Sequence, residues 1–228
     1  MRKITYLLIA ACALLFASCG TTASFTRGEL YPKMYDEKPM TLLVMPPINN
    51  SNNVEAKDLL YTSINQPLAE AGYYVISPHL AMEIFKAESA YDAENFIDGN
   101  VGMFGKVFGA DAVIFSVIEN WEKKGFGIQT KITYLVKSTT SNEVLFDRTC
   151  DLYLDLSDNN NYGGGLAGAL ASLAVSVLDT ALTDHIVAAR KCNEYIFHDI
   201  PQGKYRNEHL QDQEIPAEAK NIKKTVKK

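Results

Sequence analysis

A glycine-rich run, GGGLAG at residues 163–168, has the residue types and spacing that come nearest to a phosphate-binding motif. It matches G-x-G-x-x-G, in which glycines let backbone N–H groups approach a pyrophosphate at the start of a helix. A dinucleotide site also needs a tight strand-to-helix turn and a following strand, whereas SDNNNY precedes this run and no strand pattern follows it. A Walker loop needs Lys and then Ser or Thr after its last glycine, but Gly168 is followed by Ala169 and Leu170. We therefore expect no nucleotide cofactor.

The same segment must instead be a membrane span or a packed helix. Only residues 166–178 are continuously apolar and compatible with a helix, which gives roughly 20 Å and is too short for a hydrocarbon layer of ~30 Å. Its leucines form a seam on one side that suits a protein core. The opposite side carries small residues every four positions, a spacing that lets another helix approach closely. This stripe, which we interpret as a partner or dimer surface, comprises Gly164, Gly168, Ser172 and Ser176.

No catalytic or metal-binding constellation stands out elsewhere in the chain. The histidines lack the paired spacing of zinc ligands, and no G-x-S-x-G nucleophile motif occurs. We therefore predict neither catalytic residues nor a metal site. The histidines in question are His79, His185, His198 and His209.

The polar segment PPINNSNN, residues 46–53, is the best position for a small ligand. It follows a short apolar run that predicts a buried strand, and open α/β sheets bind ligands at the carboxyl ends of their strands. Asn49 and Asn50 could hydrogen-bond such a ligand. The alternative is that these Asn and Ser residues form turns and cap the following helix.

The amino terminus predicts export and attachment to a membrane. Residues 1–18 combine Arg2 and Lys3, an uncharged apolar run and small residues, as signal peptides do. The ending FASC resembles a bacterial lipobox, so we expect cleavage before Cys19 and its acylation; ordinary secretory cleavage near Ala17, leaving Cys19 free, is the alternative. Two or three acyl chains hold a protein stably on a membrane. No Asp follows Cys19, and we expect an outer-membrane lipoprotein that faces the periplasm.

Charge and cysteine content narrow the function further. Removal of residues 1–18 takes away two basic residues, so Lys+Arg falls from 22 to 20 against 27 Asp+Glu, and the net charge changes from −5 to −7. An acidic chain of this kind is a poor binder of nucleic acid.

Cys150 and Cys192 are the two cysteines that remain after lipidation of Cys19, in an oxidising compartment. They could form a disulfide or lie separately in the core, and sequence spacing leaves both possibilities open.

The mature chain is divided into a tether, one domain and a tail. Residues 19–38 are polar and contain Gly and Pro, which is typical of a flexible tether carrying the lipid. We expect a single α/β domain at residues 39–200. Residues 201–228 end in four lysines among eight residues, NIKKTVKK, and this composition predicts a flexible charged tail.

Hydrophobic patterns within the domain predict a mixed sheet of about five strands packed by helices, with a long helix near the carboxyl end. Apolar runs at 41–45, 73–77 and 112–118 are typical of buried parallel strands, and the residues between them have helical periodicity. Residues 127–137 and 144–156 alternate apolar and polar side chains instead, which predicts an antiparallel hairpin with one wet face. Cys150 falls on the core side of that hairpin.

Four segments together resemble a bacterial lipoprotein family of unassigned function, known partly through a vaccine-candidate antigen: LLVMPPINNS, QPLAEAGYYV, FGADAV and GGGLAGAL. The resemblance covers about residues 20–195. It implies a fold like the N-terminal domain of TolB and the periplasmic domain of the curli secretion channel CsgG. It also implies a non-catalytic accessory in envelope transport or assembly, a homodimer, and a CsgG-like lipoprotein as partner.

Three functional hypotheses follow. The first is a binding or scaffold lipoprotein that acts through protein contacts and needs no cofactor. The second is a small-ligand-binding or enzymatic domain with its site near residues 46–53. The third is a pore-forming subunit, against which the charged outer face of the hairpin argues, because lipid-facing barrel strands are apolar.

Overall fold

A computed structural model describes residues 25–157 and 183–228. The signal peptide, Cys19 and the small-residue stripe from Gly164 to Ser176 lie outside the described residues. Their predicted roles in lipid attachment and partner binding therefore stay predictions.

A seven-stranded mixed sheet forms the centre of the fold, in the order β3-β1-β4-β5-β6-β7, with β2 pairing β4 beyond the end of β1. Parallel pairing joins β1 to β3 and β4, while β4, β5 and β6 form an antiparallel meander. The strands are β1 (Thr41–Val44), β2 (Ile48–Asn49), β3 (Tyr74–Val75), β4 (Ala112–Lys124), β5 (Gly127–Ser138), β6 (Val144–Asp155) and β7 (Asn221–Lys227).

Short helices cover both faces of this sheet. The helical periodicity between the first two strands corresponds to two helices that meet at Ile64. Gly72 follows them with φ of +89°, which glycine adopts without strain. The helices are α1 (Arg27–Leu30), α2 (Pro32–Glu37), α3 (Ala56–Ser63), α4 (Asn65–Glu70), α5 (Pro78–Ala87), α6 (Glu94–Ile97), α7 (Gly102–Phe108) and α8 (residues 183–197).

Each face of the sheet has its own apolar core. The larger core lies under α3 and α8, where Cys192 and Ile196 of α8 pack with the inner side chains of β5 and β6. The smaller core lies under α5 and α7 and contains the aromatic contacts among Phe85, Phe104 and Phe108. The predicted α/β class, the parallel pairing and the hairpin with a polar outer face are confirmed. The prediction of a buried strand at 73–77 is wrong in extent and burial, because β3 is a two-residue strand at the edge of the sheet and Tyr74 is 57% exposed.

The expected strand number of about five is too low, and both additional strands come from segments without a strong strand pattern. Pro46 and Pro47 interrupt the first strand, but pairing resumes at Ile48 because β4 extends to Lys124 and offers further backbone partners. The Asn50 N–H donates to the carbonyl of Ile118 at 3.0 Å, which completes this second pairing.

The prediction of a flexible tether at residues 19–38 is wrong for its second half, because the helices Arg27–Leu30 and Pro32–Glu37 lie there. Residues 19–24 lie outside the described residues, and for them the tether stays a prediction. Thr26 caps α1 reciprocally with Glu29, and Tyr31 and Met34 are buried against the larger core. A capping box and apolar side chains one turn apart are sufficient to order such a short segment once a core is present.

The tail at residues 201–228 is not a free charged segment. Its end forms β7, which pairs in parallel with β6 and places Ile222 opposite Cys150 and Val226 opposite Leu154. The strand has no clear alternation in its sequence, since only two of its seven residues are apolar and three are lysines. The domain therefore extends to the last residues of the chain.

Candidate functional site

A groove of about 520 Å³ runs between α4 and α8 on the outside of the larger core. Its lining combines the apolar Pro67 and Val187 with polar and charged side chains. The lining residues are Ser63, Gln66, Pro67, Glu70, Val187, Arg190, Lys191 and Glu194.

A buried amide fixes the position of α8 and so sets the shape of the groove. The hydroxyl of Tyr134 on β5 donates to Asn193 Oδ1 at 2.6 Å, and Asn193 Nδ2 donates to Ser63 Oγ at 2.9 Å. Burial raises the pKa of Tyr134 well above its ordinary value, so the phenol stays protonated and keeps this hydrogen bond. Asn193 thereby holds sheet, α3 and α8 in one arrangement.

The charges on the groove walls are only partly matched. Lys191 pairs with Glu194 at 2.9 Å, a hydrogen bond that raises the pKa of the lysine, and Gln66 donates to Glu70 at 2.9 Å. Arg190 is exposed and forms no ion pair with any residue in the described ranges. Its guanidinium offers planar, bidentate donors to a carboxylate from outside the chain.

A second cavity of about 280 Å³ continues the groove beyond the carboxyl end of α8. It shares Pro67, Glu70 and Glu194 with the first and reaches His198 and Arg206. The two cavities together form one open channel along α8. A small molecule is normally enclosed by a mostly apolar pocket. This channel is open, extends along α8 and is lined by both polar and apolar side chains, so it suits a segment of polypeptide better.

Buried ion pairs secure the end of α8 next to this second cavity. Arg27 on α1 contacts Asp212 at 2.9 Å, and Arg148 on β6 contacts Asp199 at 3.0 Å. Arg27 also lies 3.9 Å from Asp199, so the four side chains form one network. Sequence reasoning missed it, although one signal was present: Arg148 occupies a core-facing position in the alternation of β6.

The other end of α8 is held by a second buried polar contact. Trp121 Nε1 on β4 donates to His185 Nδ1 at 2.8 Å. Burial lowers the pKa of His185, and the nearby Lys123 lowers it further. A neutral imidazole is the form that can accept this hydrogen bond, so both shifts favour the observed contact.

The predicted ligand site at Asn49 and Asn50 is a structured turn. The Asn49 amide donates to the carbonyl of Asn53 at 2.8 Å and accepts from the backbone and hydroxyl of Ser51. Asn53 Oδ1 accepts the N–H of Ala56, the first residue of α3, at 3.0 Å. These contacts favour the alternative in which the Asn and Ser residues form turns and bind the start of the following helix. Asn50 and Asn52 are the exposed residues of the segment.

Cys150 and Cys192 are both buried as free thiols. Cys192 Sγ lies 3.1 Å from Thr130 Oγ1, and burial together with a hydrogen bond to Cys150 raises the pKa of the Cys192 thiol. The two cysteines are therefore neighbours across the interface of α8 and the sheet, and the structure has them unbridged.

Two further properties concern the described residues only. No three His, Cys, Asp or Glu side chains within residues 25–157 and 183–228 lie together so that they could hold a metal ion. Over the same residues, no helix has the length and apolar character needed to cross a membrane.

Sequence comparison identifies relatives of most of the domain. A family model described as "Putative lipoprotein GNA1162-like" matches residues 30–200. A putative lipoprotein of Neisseria meningitidis serogroup B is 28% identical over 171 residues, which cover 72% of this chain and 77% of the relative.

Structure comparison gives weaker similarities. The crystal structure of lipoprotein GNA1162 from Neisseria meningitidis has a TM-score of 0.47 at 24% identity and covers 63% of this chain and 97% of that chain. The PelC dodecamer from Paraburkholderia phytofirmans has a TM-score of 0.45 at 10% identity, covering 72% and 89%. At such low TM-scores these similarities support no inference about function.

Proposed function

This chain belongs to the family described as "Putative lipoprotein GNA1162-like", and on that premise we propose an outer-membrane lipoprotein that faces the periplasm and binds a protein partner. In this proposal Cys19 carries the lipid, and the channel along α8 receives a segment of the partner. The protein acts as a non-catalytic accessory in an envelope transport or assembly system of the TolB-like or CsgG-like kind.

The signal peptide, the lipobox and the family match support the lipid anchor. Replacement of Cys19 by Ser removes the thiol that forms the thioether and should leave the chain without acyl groups and outside the membrane fraction. Mass spectrometry of the mature amino terminus measures this directly. An acylated chain with Ser at position 19, or an unmodified Cys19 in the native protein, would contradict the anchor.

The single observation that carries the partner-binding proposal is the open channel with its exposed Arg190, which forms no ion pair with any of the described residues. An exposed guanidinium in a groove that is also lined by Pro67 and Val187 is complementary to a peptide segment that presents a carboxylate next to apolar side chains. Self-association as a homodimer remains a prediction of the same class, since a second copy of this acidic chain could supply that segment.

Site-specific photo-crosslinking in the native envelope tests this proposal. A photo-crosslinking residue at Gln66, on the channel wall, should give a reproducible protein adduct, and Arg190→Glu should abolish it by reversing the charge. The same probe at Lys106, an exposed position on α7 over the other core, is the matched control and should give no such adduct.

The mass of the adduct distinguishes the partners. An adduct at twice the mass of this chain identifies a homodimer, and any other mass identifies a different protein. An adduct at Gln66 that persists in the Arg190→Glu variant, or that forms equally from Lys106, would refute the channel as the binding site.

A further inference from the structure

An exposed apolar patch lies at the first of the described residues, close in sequence to Cys19. Phe25 is 52% exposed and Ile215 is 44% exposed. A short antiparallel bridge between Thr26 and Pro216 holds them together, with the Arg27 N–H donating to the Ile215 carbonyl and the Ala217 N–H donating to the Phe25 carbonyl. Two separate parts of the sequence thus contribute large apolar side chains to one surface, which we name the Phe25–Ile215 patch.

The length of chain between this patch and Cys19 limits how far the patch can lie from a membrane. Only residues 20–24 separate Cys19 from Phe25. At about 3.3–3.6 Å per residue even a fully extended connection spans roughly 20 Å. The patch is also fixed to the domain, because Arg27 in the adjacent helix is buried and paired with Asp212.

We propose that the Phe25–Ile215 patch rests in the interfacial region of the bilayer that holds the lipid on Cys19, and that it sets the orientation of the domain. This inference rests on the lipid anchor proposed above. Apolar side chains at an interface insert to the boundary between headgroups and acyl chains, and a covalent lipid removes the cost of reaching it. Because Glu29 and Glu214 flank the patch, the recognised surface is a zwitterionic one.

The opposite end of the sheet then faces away from the membrane. Lys124, Gly127, Asp155 and Lys227 pair in one row across β4 to β7 at that end. Residues 183–197 of α8 lie between the two ends and span roughly 20 Å at about 1.5 Å per residue. Phe126, at the tip of the β4–β5 hairpin, is 80% exposed there.

Fluorescence quenching of the full lipidated protein by vesicles tests the orientation. The vesicles contain phosphatidylcholine and phosphatidylethanolamine with brominated acyl chains, and Trp121, which is buried, provides a constant background. Phe25→Trp should lose roughly half of its added fluorescence on brominated vesicles, as expected for a side chain at the acyl boundary. Phe126→Trp is the matched control and should keep its fluorescence.

The possible outcomes separate this inference from the anchor itself. Vesicle-bound protein in which Phe25→Trp is unquenched, or in which Phe126→Trp is quenched more strongly, would overturn the orientation and leave the anchor intact. Protein that stays off the vesicles, with an unacylated Cys19 by mass spectrometry, would overturn the anchor and with it this inference. Quenching of Phe25→Trp alone, unchanged by added salt, would support both.

Discussion

The buried pair of Arg27 and Asp212 allows a quantitative test of how the amino-terminal helix is held. Asp212 is fully buried, and its Oδ2 accepts hydrogen bonds from Arg27 and from the Gln202 N–H, each at 2.9 Å. The substitution Arg27→Met keeps much of the side-chain volume but removes the cation that faces this carboxylate. Breaking a buried pair from one side costs about 3–5 kcal/mol, because it leaves an uncompensated charge.

The reverse substitution, Asp212→Asn, should cost less. Arg27 would still lie 3.9 Å from the carboxylate of Asp199 and would still donate to the His198 carbonyl at 2.8 Å. We expect a loss of about 1–3 kcal/mol, in the range of a hydrogen bond to a charged group. The predicted difference in stability loss between the two variants comes from the position of Asp199, which the sequence alone does not predict.

Urea unfolding of the purified, non-lipidated chain measures these losses as changes in midpoint at constant slope. Lys33→Met is the control, since Lys33 pairs with Glu143 at 3.1 Å while both side chains are about half exposed, and it should cost less than about 1 kcal/mol. The reasoning would be refuted if Arg27→Met lost no more than this control, or if Asp212→Asn lost more than Arg27→Met.

Three further predictions concern stability and thiol chemistry. Because the pKa of His185 is lowered in the fold, the unfolded chain binds the proton more tightly, and the free energy of unfolding should fall as the pH drops below about 6.5. The variant His185→Gln, whose side chain can still accept a hydrogen bond, should show a weaker pH dependence. Urea midpoints measured from about pH 7.5 to 5 test this. Gly203→Ala should lower the free energy of unfolding by about 2–3 kcal/mol, since its Cβ would collide with the Gly72 carbonyl. Gly109→Ala has no atom within 4 Å of the new Cβ, so it should lose only about 1 kcal/mol from the strain of its positive φ. Equal losses for the two variants in thermal or urea unfolding would contradict these contacts. The two core cysteines should resist a thiol reagent in the native protein and both react after unfolding without reductant, and a disulfide found by peptide mapping would show the free thiols to be wrong.

Much of the fold could be predicted because its signals are local. Alternation in β5 and β6 identifies the hairpin, the face that is wet and the core position of Cys150. Continuous apolar runs identify the parallel strands, and Gly72 marks the end of a helical segment. Such patterns depend only on which side chains avoid water, and that property belongs to each residue.

The additional strands could not be predicted for the opposite reason. Strand β7 has two apolar residues among lysines, and β2 is two residues long after two prolines. Each pairs only because a long neighbour, β6 or β4, offers unpaired backbone groups at that place. The stabilisation comes from the partner strand, and a partner distant in the sequence leaves no local signal.

The candidate site also has features with a local sequence signal and features that depend on residues distant in the sequence. The sequence by itself determined that the chain is acidic and that it lacks a complete nucleotide-binding motif, and it predicted an export signal and a lipobox, because each of these is a matter of composition or short spacing. Only the tertiary structure decided that Arg27 meets Asp212, that Asn193 sets the channel along α8, and that Phe25 and Ile215 share one surface. The residues of each pair are more than a hundred positions apart in the sequence: Arg27 with Asp212, Asn193 with Ser63, and Phe25 with Ile215. The contacts that hold them therefore exist only once the whole sheet has formed.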